Sequence, residues 1–325
     1  MKTDSFYAKI LLFGEYSVIF DSMALTIPYT HFGGELSFLD EYKYTDIDFA
    51  RESNRKLNEF HSFLIDNKEL ISLFSDQGLN RLNNDIKKGL YFESTIPQGF
   101  GVGSSGALCA AVYSKYAKDK IRPGKKISAE SIRKLKNIFS KMESYFHGKS
   151  SGLDPLNSYL RNPLLINGKS DISQVKLSKF ENSEDPAIFL LNTKMPRHTG
   201  GLMEKFMARC SDPAYNNKIR NIYIPLNNNC ILSMIRGDLK TMAYNLEMLS
   251  KFQFDNFEPM IPESIRPMWQ KGLRTKDYFI KLCGSGGGGF MLGFTPDFDN
   301  TFGRLSESGF ELIPVYKKPS QSDKA

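Results

Sequence analysis

The pattern of apolar and polar positions divides the chain into short strands and longer helices before any motif is considered. Residues 7–13 and 91–96 have the aliphatic and aromatic content of buried strands. Residues 53–74, with Leu57, Phe60, Leu64 and Ile71 on one side, predict a helix, and 80–88 predict another. A helix over 104–116 follows a glycine-rich stretch and would turn Leu108, Ala111, Val112 and Tyr116 to one face. The clearest helix spans 128–147. Ser128 is its cap, Ile132, Leu135, Phe139, Met142 and Phe146 its apolar stripe, and Gly148 its stop.

Around 183–186 the composition turns polar, which places a boundary between an N-terminal domain, 1–185, and a C-terminal domain, 186–325. Beyond it come a strand at 187–192, helical segments between 202 and 274, strands at 278–283 and 290–294, a helix at 298–308 and a strand at 310–316. That order, βαββαβ, is the ferredoxin-like plan, and the whole is an α+β chain. The polar residues 317–325 read as a frayed tail.

Composition adds limits. With 325 residues, 41% hydrophobic and 24% charged, the chain is large enough for about two cored domains. Its longest apolar stretches fall far short of the roughly 20 residues of a membrane span. The N-terminal apolar run 10–13 is cut off by Glu15, which spoils a signal-peptide core, so a cytoplasmic protein without a membrane partner is expected. Cys109, Cys210, Cys230 and Cys283 lack CxxC spacing and nearby histidines, which argues against disulfides and zinc. The net charge of +7 would suit a nucleic acid, an anionic surface or a polyanionic small substrate. The basic pairs Lys87-Lys88, Lys125-Lys126 and Lys317-Lys318 are dispersed and no nucleic-acid module surrounds them, so no nucleic-acid partner is expected.

Three stretches could carry chemistry. In 96–107, IPQGFGVGSSGA, a strand gives way to glycines and serines and then to a helix. Backbone N–H groups and a helix N-terminus converging on one place make a phosphate cradle. Gly101, Gly103 and Gly106 also match GxGxxG, but IRPGKK at 121–126 offers no acidic ribose partner, and no Walker A lysine motif occurs. In 143–154, ESYFHGKSSGLD, Glu143 sits at the edge of the long helix's apolar face. Asp154, between Gly152 and Pro155, is expected in a tight turn with extended backbone. One carboxylate for a cation and one at a hydroxyl is what phosphoryl transfer to an alcohol requires. His147 reads as a helix-end dipole partner rather than a metal ligand. In 281–290, KLCGSGGGGF, the glycine density exceeds what a hairpin needs and implies close backbone approach. Two glycine-rich loops suggest a ligand sandwiched between the domains.

The first and last of these stretches, together with a segment near the N-terminus, resemble the three motifs of the GHMP kinases. The sequence Lys9-Ile-Leu-Leu-Phe-Gly14-Glu15 is similar to the first, PQGFGVGSSGA to the second and KLCGSGGGGF to the third. Glu143, His147, Gly148, Ser151, Gly152 and Asp154 fill the fixed positions of a further segment found in mevalonate kinases, and the stretch from Asn192 through Arg197 to Thr199 resembles another of their segments. Arg197 taken alone reads as a surface charge, whereas the resemblance implies that it faces the cleft with Thr199. The resemblance implies an N-terminal domain like domain 2 of ribosomal protein S5 and a ferredoxin-like C-terminal domain. It implies ATP and Mg²⁺ as cofactors, and phosphorylation of the primary hydroxyl of mevalonate, a step of isoprenoid precursor synthesis. By the same resemblance, Asp154 and Lys9 are catalytic; Pro97, Gly99, Gly101, Gly103, Ser104, Ser105, Gly106, Gly284, Ser285 and Gly286 hold the nucleotide; Ser105 and Glu143 hold the metal; and Glu15, Tyr16, His147 and Thr199 meet the acceptor.

The chain departs from mevalonate kinases at Tyr7-Ala8, which replace Pro-Gly, and at Tyr16, which replaces histidine. Tyr16 and Gly106 are more usual among phosphomevalonate kinases, which keeps that activity, or that of another GHMP small-molecule kinase, as an alternative. A nucleotide-binding sensor without catalysis and an NAD(P)-binding oxidoreductase are the rival classes, and a homodimer is left open.

Overall fold

The computed structural model describes residues 4–39, 46–124, 126–168, 171–177, 187–197 and 200–316. The expected boundary at 183–186, the tail 317–325, Lys125 and Thr199 lie outside the described residues.

Strand β1 (Phe6–Phe13) pairs antiparallel with β2 (Met23–Phe38), a 16-residue strand whose other edge takes β3 (Leu90–Ser94) at one end and β4 (Leu164–Asn167) at the other. A short β5 (Asp171–Gln174) extends the sheet beyond β4. No strand was expected over β2, which contains Pro28 and Gly33-Gly34, residue types that disfavour strand interiors. A bulge between Tyr7 and Ala8 absorbs the irregularity, and Gly34 leaves room for the Phe92 ring, which a Cβ would meet at 2.5 Å.

Helix α1 (Ile47–Asp66) is capped by Asp46, and α2 (Lys68–Lys87) by Asn67, whose side chain accepts from the N–H groups of Glu69 and Leu70. The single helix expected over 53–74 is therefore broken at Asn67, and it starts a turn and a half earlier than its apolar stripe suggested. A second break, at Ser75 with φ 56°, precedes the segment expected at 80–88. Helix α3 (Ser104–Tyr116) runs through the core of this half, packed against β1, β2, α4 (Ala129–His147) and α5 (Leu153–Leu160). One apolar face was expected of α3. Instead Cys109, Ala110, Ala111, Val112, Tyr113 and Tyr116 are all buried, whereas Leu108 is only partly so. A helix apolar all round belongs inside.

The second sheet has the order β7-β8-β6-β9, with all neighbours antiparallel. Its strands are β6 (Ala187–Asn192), β7 (Phe279–Leu282), β8 (Phe290–Thr295) and β9 (Glu311–Tyr316). This is the ferredoxin-like order for the βαββαβ reading. Between β6 and β7 lie α6 (Leu202–Cys210), α7 (Pro213–Lys218), a π-helical turn at Ile219–Tyr223, α8 (Ile224–Arg236), α9 (Leu239–Asn256) and α10 (Arg266–Thr275). Helix α11 (Phe298–Glu307) joins β8 to β9. Among the described residues no helix is long and apolar enough to cross a membrane.

Candidate active site

The site is built where β1, the N-termini of α3 and α5, and the C-terminal end of β7 converge. The backbone N–H of Lys9 donates to Val102 O at 2.9 Å, so the strand draws the glycine loop over itself. Gly103, the cap of α3, has φ 82° and no side-chain cap. The first helical bond runs from the Ala107 N–H to Gly103 O, at 3.0 Å, leaving the N–H groups of Ser104, Ser105 and Gly106 ahead of the ladder. Unsatisfied donors at a helix N-terminus favour an anion.

Directly beneath this cap lies an ion pair. Lys9 Nζ is 2.9 Å from Asp154 Oδ1, and a Cβ on Gly103 would stand 3.1 Å from Lys9 Cγ and 3.5 Å from Asp154 Oδ2. The Asp154 side chain remains 31% exposed, so the pair can be reached from the cleft. Asp154 is not in extended backbone as its proline neighbour suggested; it lies in the first turn of α5. Gly152, with φ 71°, starts that helix and Pro155 is buried within it. Gly106 allows this arrangement, since a Cβ there would come within 2.7 Å of the Asp154 carbonyl carbon and the Pro155 nitrogen. Gly106 is thus a packing position between α3 and α5.

Glu143 sits deeper than the edge of its helix's apolar face suggested, at 3% exposure. Ser105 donates to its Oε1 at 3.0 Å and Ser150 donates to its Oε2. Burial, and next the nearby charge of Asp154, push its carboxyl up to about 7, against the hydrogen bonds from Ser150 and Ser105 and the charge of Lys9. A buried carboxylate short of positive charge, with a serine hydroxyl beside it, fits one end of a Mg²⁺ site. No cluster of three or more His, Cys, Asp or Glu that could hold a metal ion occurs among the described residues. His147 Nε2 lies 3.0 Å from Ser105 Oγ at the mouth, bridging the last turn of α4 to the first of α3.

These groups edge a cleft of about 770 Å³. Lys9, Asp154, Pro97, Gly99, Gly101, Gly103, Ser104, Ser105, His147, Gly284 and Ser285 line it. Glu143 does not line it, but its partner Ser105 does. Gly286 is not a lining residue, and a Cβ there would meet Met260 O at 2.4 Å. Gly288 and Gly289 likewise press on Pro196 O and Phe100, so most of this loop's glycine serves protein packing rather than ligand approach.

Two expected acceptor residues are placed elsewhere. Glu15 is buried in an ion pair with Lys281, and Tyr16 is buried with its hydroxyl donating to Ser285 O at 2.6 Å. Neither lines the cleft, because the turn after β1 is taken up in contacts with Lys281 and the backbone of Ser285.

Sequence reasoning missed the far end of the cleft, where Phe49 and Ser53 of α1 face Phe92, Leu108 and Phe146. The one available signal was Asp46, whose capping bonds start α1 ahead of the apolar stripe. Arg197, a surface charge if taken alone but expected at the cleft through the resemblance, lines it between the two glycine loops. Its guanidinium donates to Cys283 O at 3.0 Å and Gly286 O at 3.3 Å, and its N–H to Gly99 O at 3.3 Å. Among the described residues it has no carboxylate partner.

Residues 64–160 match the model of the GHMP kinases N terminal domain. No curated protein matches the sequence. Among solved structures the chain is similar to L. major mevalonate kinase in complex with R-mevalonate, with TM-score 0.62, 14% identity, and 98% of this chain and 97% of that one covered. It is also similar to Streptococcus pneumoniae phosphomevalonate kinase in complex with phosphomevalonate and AMPPNP, with TM-score 0.61, 14% identity, and 97% and 100% covered. Lactococcus lactis galactokinase complexed with galactose gives TM-score 0.59, 14% identity, and 98% and 95% covered. At such identities the likeness is one of fold.

Proposed function

We propose that this chain, whose residues 64–160 match the GHMP kinases N terminal domain and whose fold is similar to that of mevalonate kinases, transfers the γ-phosphoryl group of ATP to the primary hydroxyl of mevalonate. The observation that carries the reading is the Lys9–Asp154 pair lying immediately under the Gly103 cap of α3. A phosphoryl group held by the N–H groups of 104–106 would stand next to the one exposed carboxylate of the pair.

In this reading the loop 99–106 and the start of α3 bind the triphosphate, and the apolar end of the cleft beside Phe49, Phe92 and Phe146 takes the base. Glu143 and Ser105 would hold Mg²⁺, whose positive charge offsets that on the transferring phosphoryl group when bound. Asp154 accepts the proton of the attacking hydroxyl, and Lys9 holds that carboxylate in place. Arg197, a cation facing the cleft with Gly101 on one side and Gly284 on the other, takes the acceptor's anionic group. A guanidinium accepts a carboxylate or a phosphate equally well, which supports phosphomevalonate as the second reading.

ATP consumption measured with mevalonate, phosphomevalonate, galactose and homoserine tests both. Mevalonate is expected to give the highest kcat/KM. A preference for phosphomevalonate would replace the first reading with the second, and no acceptor-dependent turnover at all would leave a nucleotide-binding protein.

A further inference from the structure

Below the floor of the cleft, and outside the chemistry just described, a buried ring of polar contacts joins the two halves of the molecule. Lys281 Nζ lies 2.5 Å from Glu15 Oε1 and donates to Leu282 O at 2.7 Å. The Leu282 N–H donates to Gln253 Oε1 at 2.8 Å, and Gln253 Nε2 donates to the Tyr223 hydroxyl at 2.9 Å. That hydroxyl donates to Glu15 O at 2.9 Å and closes the ring. Tyr223 ends the π-helical turn, an irregularity that often marks a functional constraint. Tyr16, which follows Glu15, is held at φ 59° with its hydroxyl on Ser285 O, a conformation unfavourable for a bulky side chain.

As a source of stability alone this arrangement is poor. The Lys281 and Glu15 side chains are 0% and 1% exposed, and Glu15 Oε2 has no hydrogen-bond partner. Burial pushes the Glu15 carboxyl up, opposed by Lys281. Two apolar residues of similar volume would avoid the cost of removing two charges from water. What the ring provides is direction. Glu15 follows the strand that carries Lys9, and Lys281 lies on the strand that delivers Gly284 and Ser285 to the cleft.

We propose that the Glu15–Lys281 pair, with Tyr16, is a positioning device that fixes Gly284 and Ser285 against the Lys9–Asp154 pair, so that the two walls of the cleft hold their ligands at reacting distance. Glu15, Lys281 and Tyr16 are positioning residues; none touches the reacting atoms. The effect on turnover rests on the kinase reading, whereas the effect on the loop does not.

The test compares wild type with Glu15→Leu/Lys281→Met, which removes both charges and leaves neither unpaired. Three quantities are read: the thermal midpoint, amide hydrogen exchange over 283–289, and kcat with the KM for ATP. The double variant is expected to fold with a midpoint near that of wild type, with exchange in the loop faster by about tenfold or more. Its kcat should fall about 10–100-fold with little change in KM, because misplacement costs rate more than ground-state binding. Unchanged exchange, or unchanged kcat in an active protein, overturns the proposal. Should the double variant fail to fold, Tyr16→Phe decides, since it removes only the bond to Ser285 O. A several-fold rise in exchange over 283–289 supports the device and no change overturns it. Absence of turnover in the wild type would defeat the kinase reading alone, and the exchange measurement would still settle the positioning.

Discussion

At the scale of single residues, two carboxylates about the same helix ends face different surroundings, and their variants should behave differently. Asp154 is partly exposed and paired with Lys9, so Asp154→Asn keeps the shape and loses the carboxylate proposed to accept the proton. Turnover should fall about 10²–10⁴-fold with little change in ATP affinity, as measured by steady-state kinetics beside nucleotide titration. Lys9→Met should bring a similar loss, and the two together little more than either, because they act as one unit. Glu143 is buried and pushed up to about 7, above the ordinary carboxylate range. The native state therefore holds a proton that the unfolded chain has released between about pH 4.5 and 7, and stability falls as pH rises through that window. Without divalent ions, Glu143→Gln should raise the thermal midpoint at pH 8 and lose this advantage near pH 4.5. With a nucleotide analogue present, added Mg²⁺ should protect wild type but not Glu143→Gln, and an equal Mg²⁺ effect on both would assign Glu143 to structure.

At the scale of elements, the glycines divide into those that admit a ligand and those that admit the protein itself. Gly99 has φ 79° and nothing within 4 Å of where a Cβ would stand. Gly152 has φ 71°, but its Cβ would meet Lys136 O at 2.3 Å and Ser140 N at 2.6 Å, where α5 begins against the side of α4. Gly99→Ala should thus cost only the backbone penalty, about 1–2 kcal/mol, and chiefly weaken nucleotide binding. Gly152→Ala should cost about 2–5 kcal/mol, from strain and overpacking together, and should displace Asp154 with the helix that carries it. Denaturant titration of the two variants separates these outcomes. Comparable stability losses would show that the contact at Gly152 relaxes freely.

For the whole molecule, the two sheets are tied by more than the buried ring. Phe13 meets Phe294 at 5.9 Å between ring centroids, and Tyr16 meets Phe206 at 4.6 Å. The Tyr29 hydroxyl donates to Pro314 O at 2.9 Å, and Asn227 Nδ2 to Met23 O at 2.8 Å. A junction this apolar and this bonded predicts that both sheets melt in one calorimetric transition, with equal calorimetric and van't Hoff enthalpies. Two resolved transitions would show that the junction is weak. A nucleotide analogue at about 100 times its Kd should stabilise this single unit by about 2.7 kcal/mol, since its cleft is lined from both halves.

What the linear sequence determined by itself is what depends on neighbours along the chain. The stripe of α4 with its Ser128 cap, the glycine loop running into α3, and the strand order of the second half were legible because periodicity, capping and backbone freedom act within a few residues. So was the pairing of motifs around Lys9, Glu143 and Asp154, through the resemblance of their segments. The tertiary structure alone decided which polar groups are buried and which face space. Glu15 became the partner of Lys281, 266 positions away, and the Arg197 guanidinium, expected at the cleft only through the resemblance, took the backbone oxygens of Cys283 and Gly286. The strand β2 survived its proline and paired glycines because partners on both edges absorbed them. Burial and long-range pairing are properties of packed surfaces, and no local spacing encodes them.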